Sequence, residues 1–81
     1  MRLVRELSHS DCKITIFSWN NRYLIKLEQG LLEQTFKIPE TDIVTEEDLI
    51  TLLDAEFLHQ AGRRFEDMGQ SLHEATKRSG F

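Results

Sequence analysis

The dipeptide Asn20-Asn21 stands between two runs of alternating polar and apolar residues, and no other feature restricts the fold as strongly. One run is Lys13-Ile14-Thr15-Ile16-Phe17-Ser18-Trp19, and the other is Arg22-Tyr23-Leu24-Ile25-Lys26-Leu27-Glu28. A two-residue hairpin loop needs positive φ at both central positions, and Asn tolerates this better than any residue except Gly. Closing the loop there sets Trp19 opposite Arg22, Phe17 opposite Leu24 and Ile16 opposite Ile25. Thr15 then meets Lys26, Ile14 meets Leu27, and Lys13 meets Glu28. One face gathers aliphatic pairs. The other gathers an apolar pair, an opposite-charge pair and a Trp19–Arg22 cation–π contact. A slip of one residue scatters all of these matches, so the register is specified by the side chains.

A second turn follows at Gly30, and two registers compete for it. A Gln29-Gly30 loop sets Lys26 against Glu33, Leu27 against Leu32 and Tyr23 against Phe36, and is preferred on charge grounds. A Gly30-Leu31 loop suits a type II′ turn but sets Glu28 against Glu33. Both send the same residues to the same faces. The run Leu31 to Ile38 makes the third strand and stops at Pro39, which has no N–H for a ladder. Residues 1–11 hold Leu3, Val4 and Leu7 ahead of the turn formers Ser8-His9-Ser10-Asp11. They read as a fourth strand at the sheet edge, with a short helical or frayed arm as the alternative.

Beyond Pro39 the period changes. Thr45-Glu46-Glu47-Asp48 reads as a helix start, with Thr45 as cap, Asp48 closing a short capping box, and acids on the positive end of the dipole. Val44 and Leu49 are spaced for a hydrophobic staple. Ile50, Leu53, Phe57, Ala61, Phe65, Met68, Leu72 and Ala75 then recur at steps of three or four, and Ser79-Gly80 supplies a stop. The expected architecture is α+β, one domain over 1–81. It has an arm or edge strand at 1–11, a meander of three or four antiparallel strands centred on 12–38, and a helix over 45–78, either continuous or broken near 62 or 69. An unbroken helix over 46–76 runs on the order of 46 Å at ~1.5 Å per residue. A strand of about seven residues spans only about 23 Å. Either the helix folds back at Gly62 or Gly69, or its second half overhangs the sheet.

Composition narrows the function more by exclusion than by indication. The chain has 81 residues, 40% hydrophobic and 30% charged, with a net charge of −4. A chain of this size buries somewhat over ~60% of its unfolded surface, so stability is thin. The acidic balance disfavours general binding to nucleic acid or anionic membrane. No apolar run approaches the ~20 residues of a membrane span, and residues 1–7 do not read as a secretory signal. The single cysteine, Cys12, permits no intrachain disulfide and fits a reducing compartment, so a cytoplasmic location is expected.

Few residues here suggest chemistry. His9, Ser10, Asp11 and Cys12 cluster before the second strand, but a zinc site needs three or four ligands and no second pair appears. His59 and His73 lie about 21 Å apart along one helix and cannot share a metal. Cys12 as a nucleophile lacks a recognisable oxyanion donor. The acids between Glu40 and Glu56 do not follow a calcium loop. No phosphate loop, paired catalytic carboxylates or CxxC is present, and no motif is specific enough to name a family. The chain is therefore expected to be no enzyme, with no catalytic, cofactor or metal residues.

What remains is surface. One helix cannot cover both faces of the sheet, which leaves Phe17, Trp19 and Leu24 on the rear face and the stripe of Phe65, Met68 and Leu72 past the sheet end. The expected role is a protein–protein interaction or oligomerisation module. Those six side chains form its contact, Arg63 and Arg64 its polar rim, and a second copy or another protein its partner. The alternative is single-stranded nucleic acid bound by Phe17 and Trp19 among Lys13, Arg22, Lys26 and Lys37.

Overall fold

The computed structural model describes residues 1–80. Four strands, β1 (Arg2–His9), β2 (Cys12–Trp19), β3 (Arg22–Gln29) and β4 (Leu32–Pro39), form one antiparallel sheet in the order β1-β2-β3-β4. Residues 2–9 are thus a full edge strand. A bulge between Leu3 and Arg5 lets Val4 and Leu7 both pack against the core. The first hairpin forms in the expected register, from Trp19–Arg22 to Lys13–Glu28. Asn20 and Asn21 sit at φ 55° and 63°, the twisted geometry that a two-residue turn requires.

The second hairpin takes the other register. Its loop is Gly30-Leu31, so Leu27 pairs with Gln34, Ile25 with Phe36, and Glu28 with Glu33. Gly30 at φ 61° meets the demand of the turn for positive φ at its first position, which outweighs the charge argument. Lys26 offsets the like-charge pairing by reaching Glu33 at 3.4 Å and Glu28 at 3.8 Å. Trp19 and Arg22 are paired, but the cation–π contacts belong to Arg64, over Phe36 and Phe57.

The helical part also departs from the expectation. A short 3-10 turn at Glu40–Asp42 leads to α1 (Glu47–Leu52), then to α2 (Ala55–Ser79). The break falls at Leu53-Asp54, and α2 runs unbroken through Gly62 and Gly69. Asp54 is extended (φ −81°, ψ 175°), and its Oδ1 accepts from the Phe57 amide at 2.8 Å, an N-cap bond that restarts the helix. At the start of α1 only half of the capping box forms. Asp48 Oδ2 accepts from the Thr45 and Val44 amides, while no side chain caps the helix. Val44 is 92% exposed, so there is no staple, and Ile43 packs inward instead. Lys77 and Arg78 occupy the last turn of α2, and Gly80 ends it at φ 82°.

The core lies between one sheet face and the helices. Ile14, Ile16, Ile25 and Leu27 are buried from the sheet, Leu49 from α1, and Ala61 and Phe65 from α2. Helix α2 packs most closely on β4. Phe57 meets Phe36 edge-on at 5.3 Å, and a Cβ at Gly69 falls 3.6 Å from Leu32. At 25 residues, α2 is about 37 Å long, against about 27 Å for a strand of 8. It overhangs beyond Gly69, and the molecule measures 48 × 27 × 18 Å. Its radius of gyration is 14.7 Å, where a compact chain of this length gives roughly 12 Å.

Candidate interaction surface

Strand alternation places every second residue on the face turned away from the helices. Read across β1, β2, β3 and β4, that face has distinct levels. Leu3, Phe17, Leu24 and Lys37 stand abreast in one, beside Trp19 and Arg22 at the Asn20-Asn21 end. Glu6, Thr15, Lys26 and Thr35 form the next, followed by Ser8, Lys13, Glu28 and Glu33. The apolar side chains therefore gather in one half of the face, edged by Arg22 and Lys37, while the other half holds only polar and charged ones. Phe17 and Leu24 are half-buried by their neighbours, while Leu3 and Trp19 are 52% and 51% exposed. Single exposed apolar residues are ordinary, whereas adjacent ones on an uncovered face are not.

The sequence-predicted contact residues separate into three groups. Phe17, Trp19 and Leu24 lie together on the open face, and Leu3 joins them. Leu3 escapes sequence reasoning because the bulge between Leu3 and Arg5 shifts the alternation along β1. Leu72 is exposed beyond the end of the sheet, and Met68 is half-buried against the core. Phe65 belongs to the core and presents no outer surface, because the sheet reaches as far as Gly69.

Arg64 is no rim residue either. Its Nε donates to Gln34 Oε1 at 2.9 Å, Gln34 Nε2 donates to the Ala61 carbonyl at 2.9 Å, and the guanidinium lies 5.7 and 5.8 Å from the Phe36 and Phe57 ring centres. Its Nη2 is buried without a hydrogen-bond partner among the described residues, facing aromatic surface in place of an acceptor. Arg63 is exposed, and its helix packs on the inner face of the sheet, away from Phe17, Trp19 and Leu24.

Arg63 lines an open groove of about 470 Å³ between α2 and the β1–β2 turn, with His9, Cys12, His59 and Glu66. The fold thus brings His59 to the His9–Cys12 cluster, a proximity that spacing in sequence does not show. Among the described residues, no three His, Cys, Asp or Glu side chains converge as metal ligands. Burial pushes the Cys12 thiol up, the reverse of what an activated nucleophile requires. No helix is long and apolar enough to cross a membrane among the described residues. Comparison with protein-family models, curated proteins and solved structures found no match to the chain.

Proposed function

We propose that the chain is a non-catalytic interaction module that docks another protein surface on the open face of its sheet. The observation that carries this reading is the abreast set Leu3, Phe17 and Leu24, flanked by half-exposed Trp19, on a face that no element among the described residues covers. Aromatic and aliphatic anchors with a charged margin are the composition of a docking patch. The acids of the face support protein over nucleic acid, because Glu6, Glu28 and Glu33 stand among its cations and two of them hold Lys26.

A photo-crosslinking side chain placed at Trp19 is expected to capture discrete protein bands in cells, while the same group at exposed Glu74 on α2 captures none. Equal capture at both positions, or none at either, overturns the reading. Salt-sensitive binding of oligo-dT that is lost in Trp19→Ala assigns the face to single-stranded nucleic acid instead.

A further inference from the structure

We infer that the occupant of the open face is a second copy of this chain, stacked back to back about a two-fold axis that runs along the strands between β2 and β3. The inference rests on the docking role proposed above and names its partner. It follows from the order of residues on the face. An axis parallel to the strands keeps each residue at its own level while exchanging β2 with β3 and β1 with β4. Cross-strand neighbours of one sheet therefore become facing residues of the pair. Phe17 lands on the partner's Leu24, Trp19 on the partner's Arg22, and Lys13 on the partner's Glu28, each contact occurring twice.

The charges are free to answer in this way. Lys13, Arg22 and Lys37 make no ion pair within the chain among the described residues, and Glu28 holds Lys26 only at 3.8 Å. Four cations, Lys13, Arg22, Lys26 and Lys37, share the face with the acids Glu6, Glu28 and Glu33, so the face carries both signs and a net charge of only about +1. The other axis in the plane of the sheet, across the strands at their midpoint, sets the level of Leu3, Phe17 and Leu24 against that of Glu6, Thr15 and Lys26. That arrangement buries charge against hydrocarbon. The axis along the strands joins Phe17 to the partner's Leu24 and Lys13 to the partner's Glu28, and it lays the aliphatic stem of the partner's Lys37 over Leu3.

The dimensions are sufficient. Four strands at ~4.8 Å spacing and ~27 Å length present a face of about 500 Å², so two copies cover on the order of 1,000 Å² in total. That is the lower bound of a specific interface. Stacked sheets lie about 10 Å apart and within about 30° of alignment, within reach of a Lys–Glu pair.

Sedimentation equilibrium of the full chain tests the pairing. The wild type is expected to be a dimer. Lys13→Glu doubles the acids at each crossing and Glu28→Lys doubles the bases, so each variant alone is expected to self-associate at least about tenfold more weakly. An equimolar mixture of the two is expected to recover the wild-type affinity as a heterodimer, and so is the double reversal in one chain. Each chain keeps its own internal repulsion in the mixture, so recovery on mixing reports contacts between copies alone. A wild type that stays monomeric at all concentrations overturns the inference, as does a dimer insensitive to both reversals or a mixture that fails to recover. A monomer whose position 19 still crosslinks to other proteins leaves the docking role standing. A dimer indifferent to Trp19→Glu as well as to the reversals removes both.

Discussion

Gln34 faces the helices from a strand whose other inward side chains are Leu32, Phe36 and Ile38, and it is buried. Burying an amide costs free energy unless its groups are matched, and here both ends are matched, by the Ala61 carbonyl and by Arg64. Gln34→Ala strands the Arg64 Nε inside the interface and is expected to cost about 1–3 kcal/mol in urea unfolding. The paired change Gln34→Leu with Arg64→Met removes both polar partners and is expected to regain most of that loss. Alternation alone assigns position 34 to the inner face, yet nothing local shows what a glutamine does there. Its partners lie 27 and 30 residues away and exist only once α2 is seated. The inward placement of Arg64 is hidden from the sequence for the same reason: arginine is usually a surface residue, and here two aromatic rings and Gln34 hold it inward.

At the scale of elements, the hairpins are decided by their loops. Asn20-Asn21 settles one register because its turn chemistry and side-chain pairing agree. At Gly30 the two signals conflict, and the backbone demand for positive φ prevails over a Glu28–Glu33 pairing that Lys26 relieves. The helical stripe is legible from end to end, but its interruption is not where glycine suggests. Gly62 and Gly69 are accommodated within α2, while Asp54 breaks the helix by capping the next segment. Asp54→Ala is therefore expected to lower stability by about 1 kcal/mol. Gly62→Ala is expected to raise it by roughly 0.5–1 kcal/mol, since an added methyl at that position meets nothing within 4 Å. Thermal unfolding of the two variants beside the wild type gives both signs in one experiment.

Over the whole molecule, stability is distributed unevenly. The centre of α2, through Ala61 and Phe65, is sealed against four buried strand residues, whereas its end past Gly69 rests on no sheet. Amide exchange is expected to be slowest near Ala61–Phe65 and to quicken steadily from Leu72 to Ser79. Uniform protection along α2 means that a partner, or a second copy, covers the overhang. Fold class, the inward face of the sheet and the presence of one uncovered face were determined by sequence alone, because alternation, turn residues and helical period are local properties of the chain. Which apolar residues stay outside was decided by tertiary structure. Phe65 and Leu72 belong to the same helical stripe, and only the length of the sheet beneath them buries the first and exposes the second. Leu3 reaches the open face through a bulge that exists only when β1 is paired with β2. Exposure is a relation between elements, set by where one ends against another, and periodicity within a single element does not contain it.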